Sequence, residues 1–115
     1  MVAPIDIGDE TYVAAAPSLL APRLTNSSVL RDWFPGLRFE VFMDRAEKGT
    51  RWSVAGEIDG SMEVWLEPVA AGTVVHWFVR GESSGRRDLT RQYLTTLNAR
   101  MFLFKDTAEN DHRAP

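Results

Sequence analysis

A chain of 115 residues, 44% hydrophobic and 25% charged, has the make-up of one globular domain able to bury a core without covalent staples. A net charge of −3 gives no electrostatic basis for binding nucleic acid, and the lack of cysteine excludes disulfides, thiolate metal ligands and thiol nucleophiles. No apolar run approaches the ~20 residues of a membrane span, and residues 1–10 lack the basic and apolar regions of a signal peptide, so a soluble, cytoplasmic protein is expected.

Residues 1–8 show no periodicity and are expected to be a flexible terminus, with a single domain over 9–108. Residues 10–14 are β-prone and predict a short first strand before Pro17. Pro17 suits a first helical turn, whereas Pro22 is expected to break or shorten that helix. Thr25-Asn26-Ser27-Ser28 supplies cap-type side chains for a second short helix over 29–33, which Pro35 stops. Leu37, Phe39, Val41 and Met43 then alternate with Arg38, Glu40, Phe42 and Asp44, the pattern of a half-buried strand. A turn at 46–49 leads to a strand over 50–57 with Trp52 and Val54 on one face. A three-residue loop at 58–60, with Gly60 in the left-handed position, would set Val54 opposite Val64 and Trp52 opposite Leu66.

Residues 60–80 carry the clearest signal. Two alternating arms flank a bend at Ala70-Ala71, which places Leu66 opposite Val75, Val64 opposite Trp77 and Met62 opposite Val79. The period-2 pleat puts all of these, with Trp52 and Val54, on one apolar face. The other face carries Glu63, Trp65, Glu67, His76, Phe78 and Arg80. After a polar linker at 81–87, Asp88 is a reasonable N-cap. Leu89, Tyr93, Leu97, Met101, Phe104 and Ala108 recur at helical spacing without an intervening Gly or Pro. One long amphipathic helix is thus available to cover the one apolar face. Residues 109–115 read as a second flexible terminus.

Candidate chemistry is sparse. None of the inward residues read from the strands titrates. His76 is predicted to point outward beside Trp65, although a one-residue slip would turn it inward. His112 sits in the tail, and two separated histidines argue for neither a metal nor a cofactor. Glu63 and Glu67 do not form a paired-carboxylate site, and no phosphate-binding or nucleophile-elbow motif exists. Trp52, Trp77, Met62 and Met101 could line an adaptable apolar pocket or simply fill the core. Tyr93 and Arg100 could form its polar end. The run Arg86, Arg87, Arg91 is either a solvated linker or a contact for an anionic head group. Trp65 and Phe78, with Phe42 of like parity, suggest a partner surface on the outer face.

The ordered segments Val13-Ala14-Ala15-Ala16-Pro17, Trp33-Phe34-Pro35-Gly36-Leu37, Gly49-Thr50-Arg51-Trp52, Met62-Glu63-Val64-Trp65-Leu66-Glu67-Pro68 and Gly72-Thr73-Val74-Val75-His76-Trp77-Phe78 resemble the polyketide cyclase/dehydrase branch of the START-like (SRPBCC, helix-grip) superfamily, in particular its small actinobacterial members. The resemblance implies an α+β helix-grip fold: a curved antiparallel sheet wrapped around a long C-terminal helix, with two short helices after the first strand. This would be a shortened variant, with four strands over residues 37–80 where six are common. It further implies binding of a small hydrophobic, lipid- or polyketide-like ligand between sheet and helix. The lining residues would be Trp52, Val54, Met62, Val64, Trp77, Val79, Tyr93, Leu97 and Met101. The alternatives are a cyclase or dehydratase using His76, Tyr93 or Arg100, and a cavity-less domain that forms a homodimer through the face carrying Trp65 and Phe78.

Overall fold

In the computed structural model, which describes residues 3–83, 85 and 88–113 (112 and 113 by backbone alone), the elements follow the order β1 (Ala3–Val13), α1 (Pro17–Leu24), α2 (Ser27–Trp33), β2 (Leu37–Asp44), β3 (Gly49–Gly56), β4 (Ile58–Val69), β5 (Gly72–Ser83) and α3 (Thr90–Arg113), with a 3₁₀ turn at Ala46–Lys48. The strands form one curved antiparallel sheet in the order β1-β5-β4-β3-β2. Arg86, Arg87 and the side chain of His112 lie outside the described residues. Among the described residues, no helix is long and apolar enough to cross a membrane.

The β4–β5 register is the predicted one: Met62 faces Val79, Val64 faces Trp77 and Leu66 faces Val75. The loop is the pair Ala70-Ala71, and Ala71 takes a left-handed φ of 63°. The Tyr12 hydroxyl donates to its carbonyl at 3.0 Å, pinning the turn to β1. The β3–β4 register differs from expectation. Trp52 faces Met62 and Val54 faces Gly60, because the chain reverses at Gly56-Glu57 rather than at 58–60. Gly56 supplies the positive φ, at 122°. Gly60 sits inside β4 opposite Gly81, where a Cβ would come within 2.0 Å of the Arg80 carbonyl oxygen. These two bare positions let β4 and β5 approach closely near the sheet's end.

Both ends extend beyond the expected 9–108 core. Residues 3–8, expected to be flexible, continue β1 and pair with 78–83 of β5. Pro4 is tolerated because β1 is an edge strand. At the other end α3 runs on to Arg113. Pro22 does not end α1, which continues to Leu24. It lies on the exposed side, where the carbonyl it leaves unbonded can turn to water, while Leu20, Ala21 and Leu24 bury the opposite side. Asn26 caps α2 by accepting from the Ser28 amide at 2.9 Å. Asp88 likewise accepts from the Thr90 amide at 2.9 Å before α3, and the Thr90 contacts hold its carboxyl below the ordinary value.

The helix stripe packs on the apolar face as its spacing predicts. Leu89, Tyr93, Leu97, Met101 and Ala108 are buried with Trp52, Val54, Ile58, Met62, Val64, Leu66, Val75, Trp77 and Val79. The far end of α3 is tied to β1: Lys105 Nζ donates to the Tyr12 carbonyl at 2.7 Å, and the Ala14 amide donates to Glu109 Oε2 at 2.8 Å. The second half of β2 departs from the half-buried pattern. Phe42 is a bulge residue between Val41 and Met43, and all three are exposed at this edge of the sheet.

Gly60→Ala should lower stability by roughly 2 kcal/mol or more in urea denaturation, because the new Cβ meets backbone that cannot give way. A change below about 0.5 kcal/mol would show that β4 and β5 are not held this close.

Candidate functional site

The nine side chains expected to line a cavity are brought together, but as a closed core. Trp52, Met62, Trp77, Val79 and Leu97 are fully buried, and Val54, Val64, Tyr93 and Met101 nearly so. Of the nine, Tyr93 borders a hollow of only about 120 Å³ at Gly36 and Glu57. Its ring stacks on Phe34 with centroids 5.1 Å apart, and its hydroxyl donates to Glu57 Oε2 at 2.7 Å. Burial, and then the neighbouring Glu57 carboxylate, push the phenol well above its ordinary value, so it stays a donor.

That closed interior is not wholly apolar. The indole N–H groups of Trp52 and Trp77 have no partner among the described residues, and neither has the buried Oδ2 of Asp9. Asp9 was missed in the sequence because β1 was read as beginning after it. It has the parity of Ile5, Ile7 and Val13, and it stands directly opposite Trp77. Directly paired positions on one sheet face bring Cβ atoms to about 5 Å. Burial is the main cause that raises the Asp9 carboxyl, with Glu10 adding repulsion against a backbone hydrogen bond that lowers it. The inward face therefore holds a titratable group next to an unpaired donor, where the strands read from the sequence offered none.

The larger hollow lies at the side of this core. A groove of about 410 Å³ runs between α1–α2 and α3. Pro22, Arg23, Asn26, Val29 and Trp33 form one wall, and Arg100, Leu103, Phe104 and Thr107 the other. Trp33 joins groove to core, its ring centroid 5.8 Å from that of Trp77 and tilted by 49°. The signal for this groove was in the sequence. Leu103 sits off the buried helix stripe and is exposed, widening the apolar side of α3 beyond what one sheet face needs. A second hollow of similar size lies at Pro17, Lys48, Trp65 and Pro68.

The three acid–base candidates are not brought together. His76 faces outward, as the register predicts, yet it is 7% exposed because Trp65 stacks on it at 4.3 Å and Phe78 flanks it at 6.3 Å. Its Nε2 is 2.9 Å from Glu67 Oε1, which can only accept, and its Nδ1 is 3.7 Å from Glu10 Oε1. Tyr93 is on the opposite side of the sheet, and Arg100 lines the groove. On the outer face Arg51 lies over Phe42 and pairs with Glu63 at 3.3 Å, while Arg80 lies over Phe78. No group of three or more metal-ligating side chains occurs among the described residues.

A five-stranded antiparallel sheet closed over one long helix, with two short helices after the first strand, is the helix-grip, START-like fold. The chain is similar to the Aha1 dimer from Colwellia psychrerythraea, with a TM-score of 0.71 and 18% identity over 91% of this chain and 96% of that one. The DR_A0006 protein of Deinococcus radiodurans is similar at a TM-score of 0.67 and 17% identity, over 93% of this chain and 99% of that one. Ara h 8.0201 shares the fold at a TM-score of 0.56 and 10% identity, over 94% and 97% of the two chains. No protein-family model and no curated protein sequence matches the chain.

Two measurements probe the interior. Leu97→Ala should cost about 2–5 kcal/mol, the range for a leucine removed from a filled core; a loss under about 1 kcal/mol would reveal spare space there. Asp9→Asn should raise the melting temperature by a few degrees at pH 7. A carboxyl raised in the folded state makes its ionisation at neutral pH a cost to folding, which the amide removes. The gain should vanish as pH falls below the ordinary aspartate value of 3.8, where the group is neutral folded and unfolded. A destabilised variant at pH 7 would mean that the carboxylate is paired after all.

Proposed function

We propose that the protein binds a small, predominantly apolar molecule, lipid- or polyketide-like, that enters by the groove between α1–α2 and α3 and reaches the inward face past Trp33. The observation that carries this reading is the trio of polar atoms without a partner among the described residues, Trp52 Nε1, Trp77 Nε1 and Asp9 Oδ2, in a mostly apolar interior. Each such group costs about 1–3 kcal/mol to bury unpaired. A ligand bearing a hydroxyl on an apolar frame could accept from an indole N–H and donate to the carboxylate, offsetting that cost. The groove has the volume and the mixed lining of small-molecule sites. The resemblance to the polyketide cyclase/dehydrase branch supports the same ligand class. A cyclase or dehydratase reading has less support, since His76, Tyr93 and Arg100 lie at three separate places.

A second reading, a homodimer through the outer face, is favoured by one observation. Trp65 and Phe42 are 36% and 56% exposed, and Met43, opposite the outward Arg51, is exposed as well. Apolar surface of that extent is typical of partner contacts, and the similar Aha1 protein was solved as a dimer.

Native mass spectrometry of the protein as purified, followed by organic extraction, separates the two. A stoichiometric apolar adduct on a monomer is expected, and Val29→Trp, which fills the groove, should weaken its binding at least about tenfold with the fold intact. A clean apo monomer would sink the ligand reading. A clean dimer would transfer the function to the outer face.

A further inference from the structure

The groove's polar lining is one-sided. Its polar members are Arg23, Arg100, Asn26 and Thr107, with no carboxylate among the described lining residues, in a chain whose net charge is −3. The Asn26 carbonyl oxygen is committed to the Ser28 amide, so its NH₂ group is what remains to offer. The two arginines differ in how firmly they are held. Arg23 pairs with Asp111 at 2.9 Å along the outer rim. Arg100 reaches Asp32 only at 3.9 Å, and that aspartate is itself 77% exposed. A contact that long in water holds a guanidinium weakly, so Arg100 can turn to an anion in the groove at little cost. Val29, Trp33, Leu103 and Phe104 supply the apolar surface around it.

We propose that the groove takes an apolar carboxylic acid, its chain against Trp33, Val29, Leu103 and Phe104 and its carboxylate on the Arg100 guanidinium. The planar two-pronged guanidinium matches a carboxylate, and a charge-assisted pair at the edge of an apolar hollow is stronger than one in open water. Asn26 and Thr107 lie within the same lining to donate to the remaining oxygen lone pairs. This inference rests on the groove being a small-molecule site. It adds the head group, which the orphan atoms of the interior do not specify.

A matched pair of probes separates the two claims. Binding of dodecanoate and of 1-dodecanol, both below their aggregation limits, is followed by calorimetry at pH 7 on the full chain. Dodecanoate should bind roughly tenfold or more tightly than the alcohol. Arg100→Gln should abolish that preference, weakening the acid far more than the alcohol, while an unchanged circular dichroism spectrum and melting temperature show that the variant is folded. Arg91→Gln, which removes an exposed α3 charge outside the groove, should leave both affinities alone. If acid and alcohol bind the wild type equally, or if Arg91→Gln weakens the acid as much as Arg100→Gln, the carboxylate assignment is overturned while ligand binding stands. If neither probe binds, both fall.

Discussion

Two tryptophans, on strands separated by a third, bury their whole side chains beneath one helix, and most of the molecule follows from that requirement. Trp52 on β3 and Trp77 on β5 flank Met62 and Val64 of β4, making one broad apolar surface. Burying it is worth roughly 25 cal/mol per Å² removed from water, so the surface must be covered. A 24-residue helix is long enough to cross the sheet, and its Tyr93, Leu97 and Met101 supply the cover. The curvature of the sheet, the ties from Lys105 and Glu109 to β1, and the docking of Phe34 and Trp33 all hold that helix in place. The outer face is left to find its own partners. It does so with stacked rings and a hydrogen bond to Glu67 around His76 and with ion pairs around Glu63, which explains a buried histidine on the solvent side.

How much of this was legible depends on where side-chain pattern and backbone need agreed. The β4–β5 register could be read because both arms alternate strictly and the bend can fall only at Ala70-Ala71. The β3–β4 register could not, because Gly60 looks like a turn glycine, whereas the close approach to Gly81 is what requires it. The resulting offset is four residues, an even number, so every side chain kept its correct face. β1 was cut short because Pro4, Asp6 and Gly8 are poor strand formers, although on an edge strand each can be accommodated. That error hid Asp9. The α3 stripe was plain from its spacing, but the groove was not. It is made by elements distant in sequence, and Pro22, which by its chemistry breaks helices, lies inside the helix that forms its wall.

The size of the sheet bears on packing through volume. Four strands over residues 37–80 give a face that one helix can cover completely, and the side chains on that face are large. Trp52, Trp77, Tyr93 and Met101 fill the space that smaller residues would leave open. Interiors packed to crystal-like density carry few voids larger than a water, so a ligand here must displace something rather than enter an existing chamber. The element best placed to yield is the α1–α2 pair. It is two short helices, one interrupted by proline, anchored by Leu20, Leu24, Leu30 and Phe34. Trp33 rides on it and is the contact that would part from Trp77.

The same volume argument explains why chemistry and capacity lie in different places. Asp9 and the two indoles are confined where nothing larger than a side chain fits, so on their own they can only tax stability. The groove has room but is lined by donors without an acid or base of its own. Only an occupant long enough to span from Arg100 past Trp33 would use both. Its apolar middle would replace the Trp33–Trp77 contact at little loss of buried area, and a polar group at its inner end would meet Trp77 and Asp9. Trp33, which lines the groove and lies 5.8 Å from Trp77 between ring centroids, is the side chain shared by the two regions. Under the ligand reading proposed above, length as much as apolarity would decide which molecules fit.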